Sequence, residues 1–180
     1  EGLGVFAALY GLVIVVTGVS TGFVGDSLTV LDRKSGPVRA GLQTWWLCLS
    51  FGLGLAVATG AWVAGMTDGG TAVAFGAATV FFLLEDALRR LLMANLRFWR
   101  IVLVDMAGLT TVVLTIVAIL TQGDLGLWHL LCALAAGQAT AGLIAIGLLP
   151  RGDRYLARWR GADVRLVGNY GMHRAVQLSL

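Results

Sequence analysis

The chain reads as long apolar runs separated by short polar intervals. Five runs stand out, over residues 3–25, 40–66, 72–95, 101–120 and 126–149. Each holds about 20 residues or more, which is the length a helix needs to cross a hydrocarbon layer of about 30 Å. The intervals DRKSGPV, TDGG, a short turn near NLRFW, and QGDL are rich in turn formers. They are too short to hold a soluble insert. The pattern predicts an all-α polytopic transmembrane bundle of about five helices over residues 1–150. A basic linker and the start of a further helix follow over 151–180. Trp45 and Trp46 near one end of the second run, and Trp62 near the other, suit an interfacial aromatic belt. Many of the 25 glycines lie inside the runs, where they permit close helix packing.

Composition supports this class. Only 13% of residues are charged, and mean hydropathy is +0.84. Soluble domains carry about 25% charged residues, so a water-exposed surface of this size would be left uncovered. Cys48 and Cys132 both sit in apolar runs and read as small core residues. No His, Cys or carboxylate spacing suggests a metal, and no nucleophile–base pair or phosphate-binding glycine loop is present. No cofactor and no enzymatic activity are expected. His129 and His173 read as surface polar residues. Gln43, Gln138, Thr59 and Thr140 either line a polar path or bond across helices.

Charge orients the bundle. The basic residues fall at Arg33, Lys34 and Arg39, then at Arg89, Arg90, Arg97 and Arg100, then at Arg151, Arg154, Arg158, Arg160, Arg165 and Arg174. The two alternate loops hold Asp68 and Asp124 and no basic residue. The positive-inside rule therefore places the basic loops in the cytoplasm of a cell-membrane protein. Residue 1 then lies outside and residue 180 inside. The net charge of +3 belongs to this face and is no sign of nucleic acid. An outside start without a signal peptide suggests an internal piece of a larger transporter-like chain, with the bilayer and the missing helices as its partners.

Charge is concentrated in FFLLEDALRRLLMANLRFWRIVLVD, residues 81–105. Glu85 and Asp86 each precede an arginine, Arg89 and Arg90, by one helical turn in the favoured acid-first order. Asp86 is also within reach of Arg89. Counted from Thr71, Glu85 lies roughly 21 Å deep at 1.5 Å per residue. Asp105 lies one turn into the fourth run and faces Arg89 or Arg97 across the turn. Two readings are open. The cluster is a topology anchor whose acids neutralise two arginines. Alternatively, Arg89, Arg90, Arg97 and Arg100 grip an anionic headgroup in a cytoplasmic cavity, since guanidinium donates paired hydrogen bonds to phosphate. In that case Glu85, Asp86, Asp105 and Asp26 are coupling or gating carboxylates. Asp26 is otherwise an interfacial acid near Arg33.

Three places resemble polysaccharide flippases of the multidrug/oligosaccharidyl-lipid/polysaccharide exporter superfamily. Gly2 and Phe6 in EGLGVFAA match a Gly-x-x-x-Phe-Gly start of the second helix, with Ala7 in the last place. GVSTGFVGDSLTV is similar to that helix's end, with Thr21 where the family has arginine and Ser27 where it has proline. LLEDALRRLLMANLRFWRIVLVD resembles the fourth-to-fifth helix turn, with Asp86, Arg89, Arg97 and Asp105 aligned and Leu96-Arg97-Phe98 in place of Gly-Arg-Pro. The resemblance implies helices two to six of one lobe of a two-lobed transporter. It also implies alternating access for a polyprenyl-diphosphate-linked oligosaccharide, moved from the cytoplasmic to the outer leaflet for surface polysaccharide synthesis. The rivals are a cation-coupled multidrug exporter of the same superfamily and a non-transporting membrane assembly subunit. A missing second lobe would leave a face of small or polar residues, such as Gly22, Asp26 and Asp86, uncovered.

Overall fold

The computed structural model describes residues 2–32, 35–123, 125–154 and 161–179. The side chains of residues 2, 3, 6, 26, 29 and 174–179 lie outside that description. So do Arg33, Lys34, Asp124, Tyr155, Leu156, Arg158, Trp159 and Arg160, and with them part of the charge pattern above.

Among the described residues all regular structure is helical. The order is α1 (Gly2–Ser20), a π-helical turn (Thr21–Gly25), α2 (Asp26–Val30), α3 (Gly36–Val63), α4 (Gly69–Ala94), α5 (Phe98–Leu120), α6 (Leu127–Leu148) and α7 (Val164–Ser179). Five segments are long and apolar enough to cross a membrane: Ala7–Gly25, α3, α4, α5 and α6. The protein is an all-α polytopic helix bundle of the membrane class. The reason is general. In hydrocarbon each backbone polar group must be satisfied within its own segment, which a helix does and an open strand does not.

Local chemistry sets the ends. Pro37 stands in the first turn of α3, where its missing N–H is no loss. Asp68 caps α4, with its carboxylate accepting from the Thr71 amide at 2.9 Å and the Thr71 hydroxyl at 2.7 Å. The Gly126 amide donates to His129 Nδ1 at 3.2 Å, so His129 serves the start of α6. Between α4 and α5 the chain reverses through Leu96, whose φ is +55°. An L-residue in this left-handed region is strained, and glycine is the usual occupant.

α4 is the central helix. It packs against α3 and α6 along most of its length, and more briefly against α1, α2, the π turn and α5. α5 packs chiefly on α6. Two of these interfaces are glycine crossings. A Cβ on Gly54 of α3 would lie 2.3 Å from Val80 Cγ2 and 3.0 Å from the Gly76 carbonyl oxygen of α4. A Cβ on Gly137 of α6 would lie 2.3 Å from Val112 Cγ2 and 2.9 Å from the Gly108 carbonyl oxygen of α5. At both places helix backbones touch, which only glycine allows.

α7 does not point away from the bundle. It lies along α3 and the π turn. Val167 is fully buried there, and Trp45 Nε1 donates to the Val164 carbonyl at 2.8 Å. Phe23 of the π turn stacks at a tilt on Trp45, with ring centroids 4.8 Å apart.

Several expectations change. Trp46 is buried in the core and Trp45 is held between Phe23 and α7, so neither is a lipid-belt residue. Among the described residues the exposed tryptophans are Trp62 and Trp128 at one end and Trp99 at the other. Cys48 is exposed and not a core residue, while Cys132 is half-buried. Gly22 is buried in the π turn, and the open surface is mostly Leu, Val, Ile and aromatic side chains. The tertiary fold turns α3 about its axis so that Trp46 faces the core, and α7 covers the turn that holds Gly22.

Candidate functional site: an arginine pair in the α1–α4–α5 corner

The described basic residues Arg39, Arg89, Arg90, Arg97, Arg100, Arg151, Arg154 and Arg165 gather at one end of the bundle. Contacts across that end tie it together. The Asp163 amide donates to the Pro37 carbonyl at 3.0 Å. Arg39 donates to the Gly152 carbonyl, and Arg100 donates to the Leu148 carbonyl.

The four candidate binding arginines divide into two roles. Arg97 and Arg100 both donate to the Leu148 carbonyl, Arg97 at 3.5 Å. Arg154 adds bonds to the carbonyls of Leu149 at 3.3 Å and Gly147 at 3.0 Å. All three satisfy carbonyls left open at the C-terminus of α6, where cations also match the helix dipole.

Arg89 and Arg90 are instead half-buried and pair with carboxylates of α4 and α5. Arg90 Nε donates to Asp86 Oδ2 at 2.8 Å. Its Nη2 donates to Thr21 Oγ1 at 2.9 Å. A Cβ on Gly25 would lie 2.9 Å from Arg90 Cδ and Nε, so Gly25 leaves the space that the side chain occupies. The π turn thus presents Thr21 and Gly25 to one guanidinium. Ser27, fully buried, donates back to the Phe23 carbonyl at 2.6 Å, which satisfies a carbonyl of the irregular turn. Single π turns in α-helices are frequent at functional sites.

Arg89 bridges two helices. Its Nη2 donates to Asp105 Oδ2 on α5 at 3.1 Å. Its Nε lies 3.5 Å from Glu85 Oε1, one turn earlier on α4. Glu85 is 3% exposed, and its Oε1 has no hydrogen-bond partner. The structure therefore brings Glu85, Asp86, Arg89, Arg90 and Asp105 together and places Arg97 and Arg100 at the neighbouring α6 terminus. Asp26 heads α2, directly after Gly25, and its side chain lies outside the described residues.

Sequence reasoning missed Thr21 and Gly25 as partners of Arg90, and Arg154 as a cap. No local signal marks them, because their partners are 69 and 65 residues away for the first two. Arg154 is different. It follows Pro150 closely, and a basic residue just past a helix end is a recognisable cap.

A hollow of about 220 Å³ at the α4–α5 turn is lined by Leu96, Arg97, Phe98, Trp99 and Arg100. Two further cavities lie against α4. One, of about 120 Å³, sits between α1, α4 and α6 and is lined by Leu9, Tyr10, Val13, Phe75, Phe82 and Gln138 among others. The other, a groove of about 590 Å³, runs between α3, α4 and α6 past Gln43, Trp46, Phe81, Leu88, Gln138 and Ile146. Neither is lined by an arginine. Thr140 bonds the Ala136 carbonyl of its own helix and takes no part. Among the described residues no three His, Cys, Asp or Glu side chains converge as a metal site would require.

Comparison with protein-family models, with curated proteins and with solved structures finds no match.

Proposed function

We propose that this chain is part of a membrane transporter that accepts an anionic lipid-linked sugar at its basic end, with Arg90 as the residue that meets the headgroup. The observation that carries this reading is the setting of Arg90. It is an arginine inside a membrane-spanning helix, held by Asp86 and Thr21, against a glycine of an irregular turn on another helix. Ionisable residues inside membrane helices are rare and most often mark a substrate or ion pathway. The guanidinium is fixed at two of its nitrogens, and about three-tenths of the side chain remains exposed. A planar cation held this way keeps donors for phosphate oxygens.

Two further features support the likeness to polysaccharide flippases. Leu96 adopts a positive φ at the position where that family's turn carries glycine. Arg90 brings a guanidinium to Thr21, the position where the family's second helix carries arginine. The substrate class is then a polyprenyl diphosphate bearing sugars, loaded from a cytoplasmic basic face of the cell membrane. The rival multidrug-exporter reading calls for an acidic or aromatic central cavity and few inward arginines. The groove between α3, α4 and α6 holds the aromatic Trp46 and Phe81 and no carboxylate, so the half-buried Arg89 and Arg90 are what weigh against that reading.

The test is binding to the purified chain in lipid nanodiscs. A fluorescent polyprenyl diphosphate is titrated beside the matching neutral polyprenol. Charge-assisted hydrogen bonds contribute about 1.5–3 kcal/mol, so Arg90→Ala is expected to weaken the diphosphate by roughly 10- to 150-fold. Arg100→Ala, which removes a helix cap, should leave affinity within a few-fold. Equal binding of diphosphate and polyprenol by the unaltered chain, or unchanged affinity in Arg90→Ala, would refute the assignment.

A further inference from the structure

The charged corner contains three carboxylates and two guanidiniums, and they are not evenly matched. Asp86 and Arg90 form a close pair at 2.8 Å. That leaves Arg89 shared between Glu85 and Asp105. Asp105 has the better bond, at 3.1 Å, and its side chain is 45% exposed. Glu85 has the looser one, at 3.5 Å, and its side chain is 4% exposed. Glu85 Oε1 and Arg89 Nε, the two atoms that face each other, are both buried without a hydrogen bond. The carboxylate with less water therefore also has the weaker partner.

A buried charge is tolerated when it is paired and hydrogen-bonded. Glu85 satisfies the first condition loosely and the second not at all. A carboxylate changes this balance by taking a proton, because it then becomes neutral and gains an O–H donor. Among the described residues, the arginines on the neighbouring helices are held elsewhere. The titratable groups on these helices are Tyr10 on α1, Asp26 on α2, Arg39 and Cys48 on α3, Arg100 and Asp105 on α5, and His129 and Cys132 on α6. Arg39 and Arg100 are engaged with backbone carbonyls at the basic end. The cation paired with Glu85 is Arg89, at 3.5 Å.

We propose that Glu85 is a proton-binding site, and that its occupancy decides whether Arg89 is shared between α4 and α5 or belongs to Asp105 alone. A hydronium ion at the exposed Arg89–Asp105 side gives its proton to a Glu85 carboxylate oxygen and leaves water. Neutral Glu85 no longer holds the guanidinium by charge. Arg89 then moves toward Asp105, and the link between α4 and α5 changes without any change in the helices themselves. Loss of the proton to water restores the shared arrangement. The proposal concerns the protein's own charges and stands whether or not the anionic-lipid reading holds.

The sequence makes the test direct, because the chain contains only two glutamates, Glu1 and Glu85. Glutamate labelled with ¹³C at the carboxyl carbon gives two signals in the 180-residue chain in nanodiscs. Arginine is labelled with ¹⁵N in the same sample, and Arg89→Lys assigns its Nε signal. The expected result is that the Glu85 carbon shifts in one step at a pH where the Glu1 carbon is still. The Arg89 Nε signal moves in the same step. In Glu85→Gln the Arg89 signal should stop responding there. The idea fails if Glu85 titrates together with Glu1, as an ordinary solvated carboxylate does. It fails equally if Glu85 does not titrate while the chain stays folded, or if its step leaves Arg89 unmoved. The first and last comparisons use the unaltered chain, so they hold even if a variant does not fold. No lipid-linked sugar is added, so this result is read separately from the binding test.

Discussion

Replacing Gly54 by alanine tests whether the α3–α4 crossing is as close as the structure has it. The added carbon would sit 2.3 Å from Val80 Cγ2 and 3.0 Å from the Gly76 carbonyl oxygen. Carbon pairs rest at about 3.5–4.0 Å, so the overlap with Val80 exceeds 1 Å by that standard. Relief is not easy. Val80 is β-branched and stiff about χ1, and the Gly76 carbonyl belongs to helix backbone. Overpacking of this kind destabilises by about 1–3 kcal/mol. Alanine recovers about 0.5–1 kcal/mol through the lower entropy of its unfolded chain. The net expectation is a loss of roughly 1–2 kcal/mol. Gly52, two residues earlier on the same helix, has nothing within 4 Å of its would-be Cβ. Gly52→Ala should therefore stabilise, by about 0.5–1 kcal/mol. Reversible unfolding by SDS in bicelles, followed by tryptophan fluorescence, compares the two variants directly. Val80→Ala added to Gly54→Ala should recover part of the loss, which is the coupling expected of side chains in contact. If the two alanine variants shift stability in the same direction by the same amount, the glycine crossing is wrong.

Two other outcomes follow from the ends of α4. Leu96→Gly should stabilise by up to about 1 kcal/mol, because it relieves about 1–2 kcal/mol of left-handed strain and loses about 0.5–1 to glycine's entropy. Leu96 is 78% exposed, so little packing is lost, and a fall in the SDS midpoint would contradict the turn geometry. At the other end, hydrogen bonds from the Thr71 hydroxyl and amide hold the Asp68 carboxyl below its usual range. A group whose folded pKa is lowered contributes stability above its unfolded pKa of about 4 and loses it as pH falls through the folded value. Asp68→Asn keeps a capping side chain and removes that titration. The stability difference between the two chains should shrink below about pH 4 in pH-stepped melts. A difference that stays constant with pH would show that the Asp68 charge contributes nothing.

The contrast between what could and could not be read in advance follows the range of each interaction. The five membrane segments were legible because both of their determinants are local. A bilayer sets the length, and the demand that a segment satisfy its own backbone sets the helix. The pairs Glu85–Arg89 and Asp86–Arg90 were legible for the same reason, since one helical turn is a fixed distance. The pairing of Asp105 with Arg89 in place of Arg97 was not, because that choice depends on how α5 leans on α4 and on the α6 terminus that claims Arg97. Trp45 and Trp46 show the limit plainly. Position along the run placed them at an interface, but rotation of α3 and the docking of α7 decided that they face protein. Thr21 and Gly25 meet Arg90 through a π turn, and nothing in residues 21–25 announces that winding. A sequence states which segments are apolar enough to enter the membrane. Which faces then meet is decided by side chains far apart in the chain, through contacts that exist only once the helices have packed.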